Sequence, residues 1–242
     1  MRYTEEKIKT LRNYSNLSQE QVAVLLWVSR LTYASVESWK RELKKSELEK
    51  LADIFETSID DLLAKPLEQE EIPHDHPLYK MMQTILYVLS KCAGKPNVGK
   101  IVLNKLLYFA DFNHYEKYWA SITEDKYIKM PMWPVPKSID GVTALMEKWL
   151  MISTINTNFH WYPQIRFIPN STPNLSIFKA TEIDELDKVI EQYSDKTWKW
   201  LTDFSHEDMP WKATESLGDE ISYNLAHYRT SLYSVAEKET DD

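Results

Sequence analysis

Glycine is nearly missing from this chain: 4 in 242 residues, where average usage of about 7% would give about 17. So few glycines leave little for loops that cradle phosphates, and neither a Walker-type nor a dinucleotide-binding fingerprint is present. Cysteine is down to one, Cys92, which excludes an intramolecular disulfide framework and fits a reducing cytoplasm. No apolar run reaches the ~18 residues of a membrane span, and the first ten residues are too polar for a signal peptide. A soluble cytoplasmic protein is expected. Positive charge is not in excess either, with 29 Lys plus Arg against 37 Asp plus Glu and a net charge of −8. That balance argues against a chain that grips nucleic acid over its whole surface.

What is present is a packed globular composition, 43% hydrophobic and 27% charged, in a length that suits one or two domains. Tryptophan, normally among the rarest residues, occurs 9 times.

Over residues 1–66, helix starts recur at short intervals. Ser18-Gln19-Glu20-Gln21 and Ser46-Glu47-Leu48-Glu49 have the spacing of a capping box, and Ser58 before Ile59-Asp60-Asp61 is a weaker version. Apolar residues then follow at helical spacing: Val22, Leu25 and Leu26; Leu48, Leu51, Ala52 and Phe55; Ile59, Leu62 and Leu63. With Ile8 and Leu11 on an opening helix and Val36 on a segment capped by Ser29, the pattern predicts five short helices sharing one core. Only Trp27-Val28-Ser29 separates the second helix from the third, the compact connection of a helix-turn-helix.

The stretch Leu17-Ser18-Gln19-Glu20-Gln21-Val22-Ala23, with Val28-Ser29-Arg30, Thr32-Tyr33, Val36-Glu37-Ser38 and Leu48-Glu49-Lys50-Leu51-Ala52, resembles the Cro/C1 (xenobiotic-response-element) type of DNA-binding domain. The resemblance implies that the third helix enters the major groove. Gln19, Ser29, Arg30, Thr32, Tyr33 and Ser35 match the contact positions. The charge of residues 1–66 is balanced, 11 basic against 11 acidic, so phosphate attraction is modest, and a homodimer on a two-fold operator would offset a weak half-site. Residues 67–77 are acidic and carry Pro73 and Pro77, which marks a linker. His74-Asp75-His76 within it lacks a third spaced ligand, so no metal site is expected there.

Residues 78–236 read as a second, larger and mostly helical domain, followed by an acidic tail at 237–242. The fold class is therefore mainly α, with a small β-hairpin. Helices are expected from 78 to 93, from 100 to 118 (apolar most of the way round, hence central), from about 142 to 150, from 181 to 193, from Asp208-Met209-Pro210-Trp211 onward, and from 218 to 236. Residues 127–136, with three prolines, are expected to be irregular or strand-like. The hairpin is expected to join 165–168 to 176–178.

Three stretches here carry a second resemblance. They are Leu103-Asn104-Lys105-Leu106-Leu107-Tyr108-Phe109-Ala110-Asp111, Tyr127-Ile128-Lys129-Met130-Pro131-Met132-Trp133-Pro134-Val135-Pro136, and Phe204-Ser205-His206-Glu207-Asp208-Met209-Pro210-Trp211. In order and spacing they resemble the Panacea (SocA-like) antitoxin domain over about residues 79–232. The resemblance implies a toxin-antitoxin system in which a non-enzymatic protein binds a cognate toxin while its first domain represses its own operon. It leaves a protease open as a further partner and the toxin-binding residues unassigned. A stand-alone repressor whose second domain senses a ligand or a protein is the alternative. No cofactor and no catalytic residue is expected: Ser205-His206-Glu207 are adjacent in sequence, whereas a triad needs side chains that converge in space. Cys92 is a small core hydrophobe.

The tryptophans return at this point. Trp27 and Trp39 fall where the repressor-like family has glycine at helix ends, Trp119 follows the long central helix, and Trp133 falls where Panacea-like sequences have glycine. These four positions are expected to demand positive φ and to be glycine codons UGA translated here as tryptophan, with Trp198 a further candidate and Trp211 a true family tryptophan.

Overall fold

The computed structural model describes residues 2–15, 17–38, 40–55, 57–63, 74, 76 and 78–236. The expected linker, apart from His74 and His76, and the acidic tail lie outside the described residues, as does Trp39.

The chain opens with α1 (Arg2–Tyr14), α2 (Gln19–Leu26), α3 (Arg30–Glu37), α4 (Lys45–Ile54) and α5 (Ile59–Leu63). Ser18 forms the expected capping box: its Oγ accepts from the Gln21 amide at 3.1 Å, and the Gln21 side chain accepts from the Ser18 amide at 2.7 Å. The box expected at Ser46 sits two residues earlier. Lys44 is the N-cap, and Glu47 accepts its amide at 2.9 Å while pairing with Arg41 at 2.8 Å. Ile8, Leu11, Val22, Leu26, Tyr33, Leu51, Phe55 and Leu62 fill the shared core. None of these helices exceeds 13 residues, so burial of this face, not helix propensity, holds them.

The second half is built on α7 (Lys100–Tyr118), whose Leu103, Leu106, Leu107, Tyr108, Phe109 and Phe112 are all buried. Around it lie α6 (Tyr79–Lys91), α8 (Ile139–Lys148), α9 (Ala180–Tyr193), α10 (Trp198–Glu207) and α11 (Met209–Ala213). The prolines at 131, 134 and 136 do not prevent a hairpin: β1 (Tyr127–Met130) pairs with β2 (Trp133–Pro136), and β5 (Glu220–Ile221) extends the sheet on the other side. Lys129 directs its backbone toward residues 218 and 219, bonding Asp219 O and Gly218 N. Its partner Pro134 therefore lies at an outward-facing position of the edge strand, where a missing N–H costs nothing and blocks further pairing.

Two expectations are corrected. The long hairpin is β3 (Ile152–Phe159) with β4 (Tyr162–Pro169), not 165–168 with 176–178; Leu175–Ile177 is a single 3-10 turn. Residues 218–236 are not a helix but β5 and a 3-10 segment, Tyr223–Tyr228, entered through Gly218 at φ +93°. The β3–β4 hairpin also has two working faces. Ile152 and Phe167 point into the core of the second half, while Ile168, with Ile155 beside it, packs against the core of the first five helices.

Among the described residues, six other than glycine have positive φ: Trp27, Trp119, Glu124, Leu150, His160 and Trp161. Trp27 and Trp119 behave as expected, ending α2 and α7 in the left-handed conformation. Trp133 does not. The two-residue turn of its hairpin is Pro131-Met132, and Trp133 already lies in extended β2 opposite Met130. Trp198 is the first residue of α10 and needs no positive φ either.

Candidate functional site

The face expected to read DNA is built on α3. Ser29 is its N-cap, with Oγ accepting from the Thr32 amide at 3.1 Å and sharing a 2.8 Å hydrogen bond with the Thr32 hydroxyl. That cap fixes the entry of the helix and presents Arg30 and Leu31 to solvent. Ser35 is half-buried and donates to Thr32 O at 2.6 Å. Gln19, half-buried at the start of α2, donates to Glu37 at 2.8 Å.

Tyr33 departs from its expected role, being fully buried. Tyr33, Val36 and Glu37 form the inward face of α3 at i, i+3, i+4 spacing, so the ring belongs to the core and reaches no base. Burial and the neighbouring Glu37 carboxylate push its hydroxyl well above the ordinary tyrosine range. Burial works against the Glu37 charge as well, but hydrogen bonds from Arg12, at 2.6 Å, and from Gln19 outweigh it and hold the carboxyl below its ordinary value. Glu37, which sequence reasoning left as part of a motif, thus ties α1, α2 and α3 together behind the reading face.

In the second half, the three quoted motifs meet around α7. Tyr108 donates to Asp208 at 2.8 Å, joining the first motif to the third. Asp111 accepts from the amides of Ile122 and Thr123, from the Thr123 hydroxyl and, at 2.8 Å, from the Tyr127 hydroxyl, joining the first to the second. Lys129 donates to Thr214 O at 2.6 Å and lies 4.2 Å from the Trp211 ring centroid, joining the second to the third. His206 stacks on Trp211 at 4.0 Å, although the buried Trp211 indole N–H has no hydrogen-bond partner among the described residues. Asp208, which stands at the start of α11, receives both Nε and Nη2 of Arg229 at 2.9 and 2.6 Å. Arg229 was outside every sequence reading of function; only its distance in space from Asp208, not in sequence, reveals it.

This cluster is structural polar chemistry, turned inward. Ser205, His206 and Glu207 do not converge: Ser205 donates to Thr202 O, His206 stacks on Trp211, and Glu207 pairs with Lys212. The Cys92 thiol is buried and pushed up to about 11, away from the thiolate a nucleophile needs. His114 bridges Ala120 O and Thr181 inside the core. Outside the cluster, an apolar groove of about 550 Å³ runs between the start of α7 and the β1–β2 hairpin, lined by Ile101, Ile128, Met132 and Val135 among others.

Lys105 is the most perturbed lysine of the cluster. It is fully buried, donating to Trp198 O at 2.9 Å and to the Thr202 hydroxyl, and burial pulls its pKa down to about 7. Unfolded, the same lysine titrates near its ordinary 10.5. Between those values the unfolded chain binds a proton that the native one does not, so stability rises with pH there, by up to ~1.4 kcal/mol per pH unit. Urea unfolding of the parent and Lys105→Met at pH 7, 8 and 9 checks this: the parent is expected to gain on the variant at each step, and parallel curves would rule it out.

The fold and the two sites define a class: a helix-turn-helix unit joined to a larger helical domain with an inward-facing polar core. Comparison with known families agrees in both halves. Residues 8–62 match the family described as "Helix-turn-helix", and residues 103–212 match "Antitoxin SocA-like, Panacea domain". The chain thus carries a Cro/C1-type helix-turn-helix domain followed by a SocA-like Panacea domain. Over 68 residues it is 34% identical to the HTH-type transcriptional regulator AnsR of Bacillus subtilis (strain 168), a match that takes in 28% of this chain and 59% of that relative. No solved structure matches. Among the described residues, no helix is long and apolar enough to cross a membrane.

Proposed function

We propose that this protein is the antitoxin of a toxin-antitoxin pair, neutralising its toxin by direct contact in the cytoplasm and repressing its own operon through α3. The observation that carries this reading is one chain holding an exposed reading helix and a Panacea domain whose polar side chains are spent on its own core. Such a domain is equipped to bind, not to turn over a substrate. In this reading Arg30 contacts a base edge or phosphate, Thr32, Ser29, Ser35 and Gln19 lie around it, and two copies bind a two-fold operator. The similarity to a transcriptional regulator supports the DNA-binding half alone and suits equally the alternative of a stand-alone repressor.

Two experiments separate the readings. Arg30→Ala is expected to weaken binding to the gene's own upstream region about fivefold or more, the ~1–3 kcal/mol of a bidentate arginine contact, measured by gel shift. Unchanged affinity and specificity would take Arg30 off the reading face. Full-length protein co-expressed with the product of the neighbouring gene is expected to restore growth, and the Arg30→Ala variant to restore it equally. A point variant is the right tool because deleting the first domain would strip the cover from Ile168 and Ile155. If the parent protein affords no protection while still repressing, the stand-alone repressor is the better account.

A further inference from the structure

Six of the nine tryptophans of this chain fall into two physical groups. Trp149, Trp198 and Trp211 have ordinary backbone angles and pack against the core of the second domain. Trp27, Trp119 and Trp161 have φ of 63°, 57° and 73° and are 86%, 68% and 97% exposed. Tryptophan supplies 9 of 242 residues yet three of the six non-glycine residues at positive φ. A β-carbon is disfavoured in that region, and the residue that occupies it routinely is glycine.

Each of the three sites has a local geometry that calls for glycine in its own right. Trp27 and Trp119 are the left-handed C-caps of α2 and α7, the place where glycine ends helices most often. Gly94, two residues beyond the Cys92 cap of α6, takes the left-handed region at φ +84° as glycine. Trp161 follows His160 in the two-residue turn closed by the Phe159–Tyr162 pair, with positive φ at both turn residues. That is a type I′ turn, whose second position is typically glycine. None of the three rings gains much in exchange. Trp27 is 86% exposed with the Lys50 ammonium 5.7 Å from its ring, Trp119 stacks on His227 at the surface, and Trp161 stands almost wholly in water.

We propose that residues 27, 119 and 161 are glycine in the native protein, encoded by UGA, which the native host reads with a glycine-charged tRNA. UGA differs from the glycine codon GGA in its first base only, and a table that reads UGA as tryptophan turns each such glycine into the largest side chain. Part of the shortage of glycine and part of the surplus of tryptophan then have one cause. The core-packed Trp149, Trp198 and Trp211 are true tryptophans, encoded by UGG.

The test is the gene and the protein as its host makes it. Sequencing the coding DNA is expected to show UGA at 27, 119 and 161 and UGG at 149, 198 and 211. Peptide mass spectrometry of the native protein is expected to find glycine at the first three positions and tryptophan at the other three. UGG at any of the first three, or tryptophan in their native peptides, overturns the proposal.

Discussion

Glycine at residues 27, 119 and 161 together is expected to stabilise the protein by about 3 kcal/mol. A residue with a β-carbon held in the left-handed region costs ~1–3 kcal/mol, and each of these tryptophans sits there with its ring mostly in solvent. Glycine relieves that strain but adds freedom to the unfolded chain, which takes back roughly 0.5–1 kcal/mol per site. The net is about 1 kcal/mol each. The sites lie at the ends of α2 and α7 and at the β3–β4 turn, with different neighbours, so their effects are expected to add. Trp119→Gly is expected to gain least because it also gives up the 3.9 Å stack on His227. For a chain of this size the sum corresponds to a rise in Tm of roughly 6–12 °C. Alanine at the same three positions is the control. It removes the exposed rings but keeps the β-carbons, so it is expected to give little of the gain. Equal rises for alanine and glycine would attribute the effect to surface hydrophobicity and not to the backbone.

The same residues explain part of what the sequence conceals. The five opening helices were legible because Ser18 caps, apolar residues recur at helical spacing, and a three-residue connection leaves one compact arrangement. The central helix α7 was legible from its all-round apolar surface. The β3–β4 hairpin was not: Ile-Ser-Thr-Ile-Asn-Thr-Asn-Phe is too polar to announce a buried strand, since half its cover comes from the other domain, through Ile155 and Ile168. Its turn reads His160-Trp161, with no Asn-Gly-like signal. On the reading face, Tyr33 was placed among the contacts by its position in a motif, although its i+3 and i+4 neighbours Val36 and Glu37 already marked that face as inward. The motifs of the second domain were recognisable as strings, but their purpose was not. What Asp111, Lys129 and Asp208 bond to lies 12, 85 and 21 residues away along the chain.

Arg229→Met is the substitution expected to cost most, about 3–5 kcal/mol. The side chain is 1% exposed, its Nε and Nη2 donate side by side to the two oxygens of Asp208, and its third nitrogen donates to Asn113 at 2.8 Å and to Glu116 at 3.2 Å. Burial alone would lower its pKa, but the surrounding carboxylates, Asp208 first, raise it above its ordinary value. Methionine fills much of the volume without the charge. The cost comes from what is left behind: Asp208 would face the core with only the Tyr108 hydroxyl as a side-chain donor, and a buried carboxylate stripped of its cation is strongly destabilising. Because Asp208 stands at the start of α11 and anchors the third motif to α7, the loss is expected to loosen that junction. A double-mutant cycle distinguishes this account from simple loss of packing. If the orphaned charge is responsible, Asp208→Asn in the Arg229→Met background is expected to restore part of the stability, although the same change in the parent is destabilising. Chemical denaturation of the four proteins measures the coupling, expected to exceed about 1 kcal/mol. Additive losses would mean that Arg229 contributes only its contacts, and that the polar core of the domain is held by shape alone.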